Sequence, residues 1–394
     1  MSPRLRSSFV ALVLVLAMVV PRAHAAVVIE VDGSLDSMLA LGALLESPGS
    51  SSIYSVKLVV VSAPVQTASS AYVNVKRFLK YSKFSDETLP VVLGSVSSLR
   101  DQVSAATGTG GCRDVAPFPN TEFDSVHPHP PTLSAPWSLF DEADLFGAAA
   151  TLRQGADPPV PRSQQTSAAD AIQRALETVI NAGARYERLD YIALSTLTTM
   201  STFLNSSTVT ASMLSRLNLH IVASANDANL LADADAANLV FAAPLTYRTL
   251  YTSSMTSAVA TFGNYWRQLM ALRQEQPAPP GPIVWLLDAL VQKSQVVERL
   301  ATERQTPVRF TEGNFGPRLV LGALAAVRSG VKAELVMDDA IALISISNGA
   351  LNVTVLQDTH HTLDATHVYR QAYPSPSTFW SDLLVLLQSK QWMG

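Results

Sequence analysis

Cysteine is nearly absent: Cys112 stands alone in 394 residues, so no disulfide can close within the chain and stability must come from the core. Charge is sparse as well, with 15% Asp, Glu, Lys and Arg and a net of -4. The dense Lys/Arg surface that nucleic-acid backbones and anionic membranes attract is missing, which argues against a polyanionic partner. Beyond the N-terminus there is no apolar run long enough for an integral membrane span, and there is no internal repeat. What is present is a 48% hydrophobic composition, enough to bury a large core and far from the disordered regime.

The N-terminus carries Arg4 and Arg6, an apolar run over 9–20, and then Ala23-His24-Ala25. Charged, greasy and small-residue parts in that order form a secretory signal. A membrane anchor is the alternative, but the run is about a dozen residues where a spanning helix needs roughly 20. Residues 1–25 are therefore expected to be a signal peptide, with a mature chain from Ala26 in the secretory lumen or outside the cell. Asn205-Ser206-Ser207 and Asn352-Val353-Thr354 are sequons that fit this route, although such tripeptides also occur by chance.

Residues 26–394 read as one domain. A β-branched run over 27–31 ends at Asp32-Gly33-Ser34, and Leu35, Leu39, Leu41, Leu44 and Leu45 continue with helical spacing; the pattern is strand, turn, helix. The unit recurs, with a strand over 56–61, an amphipathic helix over 68–81 and a strand over 89–93 ended by Gly94. An irregular excursion rich in Gly, Pro, Ser and Asp fills 108–161, too long for a simple connection. Helices over 167–182, 200–205 and 233–241 then alternate with strands over 189–194 and 219–223, and a Pro-rich turn lies at 276–282. This alternation predicts an α/β fold, an open, mostly parallel sheet with helices on both faces.

Ligands of such sheets collect at the carboxyl ends of the strands. Polar residues stand there in four places: Glu30, Asp32 and Asp36; Thr198; Asp227 and Asn229; Asp338 and Asp339. Carboxylates gathered together repel unless a cation or shared protons neutralise them, so a hard, oxygen-liganded ion such as calcium or magnesium is the natural reading. For Asp32 and Asp339, each ahead of an apolar run, helix N-capping is an equally good alternative. His127-Pro128-His129 and His360-His361 lack the further ligands a zinc site needs and read as polar loop. Cys112 has no evident local base and is not expected to be a nucleophile.

The order of these clusters resembles the inosine-uridine-preferring nucleoside hydrolase family. That family opens on Asp-x-Asp-Pro-Gly-x-Asp-Asp, and this chain has Glu30-Val31-Asp32-Gly33-Ser34-Leu35-Asp36-Ser37. Leu89-Pro90-Val91-Val92-Leu93-Gly94 is similar to its Ile-Pro-Val strand, and Ser195-Thr196-Leu197-Thr198-Thr199 to its Gly-Pro-Leu-Thr-Asn. Asp227-Ala228-Asn229, continued by Asp233, Ala236, Ala237 and Phe241, is similar to Glu-x-Asn, and Asp338-Asp339-Ala340 to His-Asp-Ala/Pro. The resemblance runs from Val27 to about Thr366.

The resemblance implies a small-molecule ribonucleoside as substrate and hydrolysis of its N-ribosidic bond, with a homo-oligomer allowed. It implies Asp32 as catalytic base and calcium ligand, Thr198 as a carbonyl ligand and Asp339 as the second calcium carboxylate. Asp36, Asp227 and Asn229 are implied to hold the ribose, and Asp338 to stand near the leaving base.

The departures concern the ion most. Ser37 replaces the family's last Asp, a two-oxygen calcium ligand. A carboxylate at roughly 2.4 Å from a dication is worth on the order of 10 kcal/mol at an effective dielectric near 20, before dehydration is subtracted. A hydroxyl cannot replace that. Pro64-Val65 stands for a Gly-Asn, and the loop before Asp227 is shortened. Asp338 replaces a histidine, so the acid count is unchanged, although a calcium shell demands convergent oxygens and neighbouring residues usually diverge. These departures leave a weakened enzyme and a non-catalytic ligand-binding relative as the two functional expectations.

Overall fold

The computed structural model describes residues 25–33, 35–46, 54–62, 68–81, 88–95, 165–182, 188–223, 229–230, 233–245, 247–252, 336–347, 350–357 and 367–371. Residues 1–24 of the expected signal peptide, the expected excursion over 108–161 and turn at 276–282, Cys112, Asp227 and the four histidines at 127, 129, 360 and 361 lie outside the described residues.

The first strand, β1 (Ala25–Val31), is followed by α1 (Leu35–Glu46), β2 (Tyr54–Val61), α2 (Ala68–Tyr81) and β3 (Val91–Leu93). Next come α3 (Gln165–Asn181), β4 (Leu189–Ala193), α4 (Thr198–Leu204), the short α5 (Ala211–Leu214), β5 (Leu217–Ala223) and α6 (Ala234–Ala242). The chain continues through β6 (Tyr247–Thr252), β7 (Val336–Ser347), β8 (Ala350–Gln357) and β9 (His367–Gln371). The sheet order is β3-β2-β1-β4-β5-β6-β9-β7-β8. From β3 to β9 every pairing is parallel, and β7 runs antiparallel to both β9 and β8.

Period-two alternation explains how the parallel strands are covered on both faces. Ala26, Val28, Leu58, Val60, Leu189, Tyr191, Leu217 and Leu219 share one buried cluster with Ile172 and Leu176 of α3, Met200 and Phe203 of α4, and Val240 of α6. The intervening Val27, Ile29, Val31, Val59 and Val61 are equally buried. Met38 and Leu41 of α1 and Val75 and Phe78 of α2 are buried too and stand outside that cluster, as helices on the opposite face do.

Two expectations change. Glu30 lies inside β1 rather than after it. Asp338 and Asp339 lie inside β7, paired with Val368 and His367 of β9; no helix starts at Asp339, so its capping role falls. The physical reason is the β-branched content of Ile341, Ile344 and Ile346, which continues the strand for twelve residues.

Candidate functional site

The strand ends β1, β2, β3 and β4 finish together. Leu194 N donates to Glu30 O at 2.9 Å, Ser62 N to Val31 O at 2.9 Å and Gly94 N to Val61 O at 2.7 Å, so the ladder extends one step beyond each strand. Gly33 turns the chain immediately after Asp32 at φ 73°, a left-handed conformation that glycine adopts without steric cost. Asp32 is thereby left fully buried at the sheet's carboxyl edge, and its Oδ1 accepts the Ser37 hydroxyl at 2.8 Å.

Beneath this edge lies a polar cluster that the sequence reading did not assemble. Glu30 is fully buried, with Oε1 accepting from Ser62 Oγ at 2.5 Å and Oε2 from Tyr191 OH at 2.6 Å. Ser62 Oγ also meets Thr199 Oγ1 at 3.0 Å. Thr199 Oγ1 in turn accepts from Ser95 N at 3.0 Å and donates to Ser95 Oγ at 3.2 Å. Burial raises the Glu30 carboxyl above its ordinary 4.5, against the lowering pull of these hydroxyl donors, first Ser62 and then Tyr191. Tyr191 is pushed well above its ordinary value by burial, then by the neighbouring Glu30 charge and its hydrogen bond to it. A sequence signal for the cluster existed: β2 and β3 are each followed closely by a serine, at Ser62 and Ser95.

Gly94 fits only because it lacks a side chain. A Cβ there would stand 2.2 Å from Ser62 Oγ, 2.8 Å from Thr199 Oγ1 and 2.9 Å from Val60 Cγ1.

At the neighbouring turn, Thr198 Oγ1 donates to Asp233 Oδ2 at 2.5 Å and lies 3.1 Å from Thr196 Oγ1. The Thr198 carbonyl accepts from Ser201 Oγ at 2.8 Å and Thr202 Oγ1 at 3.0 Å. Asn229 Nδ2 donates to Leu194 O at 3.3 Å. Asp36 falls on α1 with its side chain outside the described residues.

The structure thus brings Asp32, Ser37, Thr198 and Asn229 to one edge, on β1, α1 and the connections after β4 and β5. It does not bring Asp339 to them. β7 is five strands from β1 in the sheet order, on the order of 20 Å at about 4.8 Å per strand. The backbone partner of Asp339 is His367, which pairs with Thr249 of β6, and Thr249 pairs with His220 in the middle of β5.

Tested against a calcium ion, the donors among the described residues do not by themselves supply the six to eight oxygens it takes; the side chains of Asp36, Asp227 and Asp339 lie outside them. Ser37 gives its proton to Asp32, the Thr198 carbonyl serves two hydroxyls of α4, and Asp339 is remote. Among the described residues no three His, Cys, Asp or Glu residues group as ion ligands. The hydrogen-bonded trio of Asp190, Asn218 and His220 lies farther down β4 and β5, away from this edge.

No curated protein sequence matches the chain. Among solved structures, the purine-preferring ribonucleoside hydrolase from Gardnerella vaginalis is similar at 14% identity, TM-score 0.59, covering 92% of this chain and 98% of that one. The inosine-uridine preferring nucleoside hydrolase from Bacillus anthracis is similar at 13% identity and TM-score 0.55, covering 93% and 100%. The type III effector protein XopQ, complexed with adenosine diphosphate ribose, is similar at 11% identity and TM-score 0.51, covering 99% of each chain. At these identities the likeness establishes the α/β nucleoside hydrolase fold. The sequence profile described as inosine-uridine preferring nucleoside hydrolase matches residues 27–375, and by that match, on this fold, the chain belongs to the inosine-uridine preferring nucleoside hydrolase family.

Proposed function

We propose that the chain is a secreted N-ribohydrolase of weakened rate, taking a small-molecule ribonucleoside at the carboxyl edge of the sheet and releasing free base and ribose. The observation that carries this reading is Asp32: a fully buried carboxylate, fixed by the Gly33 turn and the Ser37 hydroxyl, at the strand end where such sheets bind ligands. Its part is to take a proton from water as the water oxygen bonds to the sugar's anomeric carbon. The bond from that carbon to the base nitrogen breaks, and the base leaves with the electron pair and is protonated. A positioned general base supplies about 10²- to 10⁴-fold of such a rate. Asp36, Asp227 and Asn229 hold the ribose; Asp338, inside β7 and five strands from β1, is given no part in this step.

Calcium, when bound in this family, polarises the water and chelates the sugar hydroxyls. Asp32 and Thr198 stand at this edge while Asp339 lies on β7, so no step is routed through an ion. Ser37 is the main cause of weak ion binding in this reading. Secretion rests on the N-terminal pattern; cleavage after Ala25 would take only the first residue of β1 (Ala25–Val31), and Asn205 is exposed for glycosylation.

A second reading, a non-catalytic ligand-binding protein, is favoured by the same Ser37 and by the distance of Asp339. XopQ, on a similar fold, holds adenosine diphosphate ribose, a ribose-containing ligand. Base release from purine and pyrimidine ribonucleosides, with and without calcium, decides between the two. Hydrolysis supports the enzyme, and binding without release supports the second reading.

A further inference from the structure

The connection from β5 to α6 is fastened to the connection from β4 to α4 at two points, each four residues along from the other. Asn229 Nδ2 donates to Leu194 O at 3.3 Å, and Thr198 Oγ1 donates to Asp233 Oδ2 at 2.5 Å. All three side chains are buried, Asn229 at 3% exposure, Asp233 at 4% and Thr198 at 0%. The other oxygen of Asp233 accepts from Ala236 N at 3.2 Å and caps α6. One carboxylate therefore does two separable things: Oδ1 starts a helix and Oδ2 ties that helix's approach to its neighbour. Next to Thr198, Thr199 is held from the other side by Ser62 and Ser95, so the turn that receives the tie is itself fixed to β2 and β3.

We propose that Asp233 is a positioning residue for ribose binding: through Thr198 it keeps Asn229 in register with the strand end that carries Asp32. This rests on the reading of that edge as a ribonucleoside site. An ordinary N-cap would not need the second oxygen, because serine caps a helix as well as aspartate does with one. That separates the two roles experimentally. Asp233→Ser keeps the cap and loses the tie; Thr198→Val loses the tie from the other side and leaves the cap untouched; Thr198→Ser restores it.

The experiment uses the mature chain with inosine and uridine as probes, measuring affinity and KM against kcat, together with hydrogen exchange of the amides over 229–237. Asp233→Ser and Thr198→Val should each weaken affinity about tenfold, with the loss falling on KM more than on kcat, since displacing a positioning contact by about 1 Å can cost up to 100-fold. Their double variant should lose no more than either alone, and Thr198→Ser should bind within about twofold of the parent if the hydroxyl is what matters. Exchange over 229–237 should speed up in both, with β1 and β2 unchanged. Parental affinity in Asp233→Ser and Thr198→Val would overturn the proposal, as would additive losses. If the parent binds neither probe, the functional reading fails, and exchange alone decides the fastening: unchanged protection over 229–237 in both variants overturns it. Should Thr198→Val not fold, Asp233→Ser carries the same comparison.

Discussion

Ser37 shows how a single side chain redirects a site. Where the family places a carboxylate, this chain has a hydroxyl that donates to Asp32 at 2.8 Å, so the position that ligates calcium in the family is here a hydrogen-bond partner of the proposed base. Ser37→Asp should therefore strengthen calcium binding and raise any hydrolytic rate, read by calcium titration followed through thermal unfolding, since an ion bound only to the folded state stabilises it by mass action. If Asp338 has taken over the ion, Ser37→Asp changes little and Asp338→Asn weakens binding instead. The position of Asp338 beside Asp339, five strands from Asp32, argues for the first outcome. Gly94→Ala should destabilise by about 1–3 kcal/mol, seen as a lower denaturant midpoint, because the added Cβ meets Ser62 Oγ, Thr199 Oγ1 and Val60 Cγ1 at once.

Glu30 makes a prediction in pH. Its folded value is raised by burial, so the folded state holds the proton more tightly than the unfolded chain. The stability this contributes is complete below the ordinary 4.5 and is lost as pH rises through the raised folded value. Glu30→Gln should flatten the dependence of unfolding free energy on pH from about 4.5 upward, measured by urea unfolding across that range. An unchanged slope would mean that Glu30 does not carry it.

At the scale of elements, most of the frame was legible. The helix over 68–81 is α2 to the residue, and the strands over 27–31, 56–61 and 189–194 are found within two residues of their expected bounds, because buried parallel strands are written as largely apolar runs, β-branched in β1 and β2. The site was legible only where it is local. Asp32 and its turn follow from one strand and one glycine, whereas the Glu30, Ser62, Ser95, Thr199 and Tyr191 cluster is held by bonds such as that from Tyr191 to Glu30, 161 positions apart, and only the parallel register β3-β2-β1-β4 brings them together. The misplacement of Asp339 has the same origin: a periodic apolar run of short length reads as helix or strand until its partners are known. The short α5, capped by Thr210 through Met213 N, is too brief to leave a periodicity.

For the whole molecule, the fold supplies an edge, and the proposal reads the N-terminal segment as an address. Among the described residues no helix is long and apolar enough to cross a membrane. Secretion predicts that protein recovered from its native host begins at or near Ala26, by N-terminal sequencing; an intact Met1 on cytosolic protein would contradict it. The central claim is that the buried Asp32 at that edge serves a ribonucleoside-cleaving site. The measurement that tests it most directly is release of free base from inosine, uridine and a wider ribonucleoside panel by the mature protein and by Asp32→Asn, each with and without calcium. The account predicts slow release by the parent and a loss of at least about 100-fold in Asp32→Asn, since an amide cannot take the proton from water. No release by the parent under any condition, or equal release by both proteins, would contradict it.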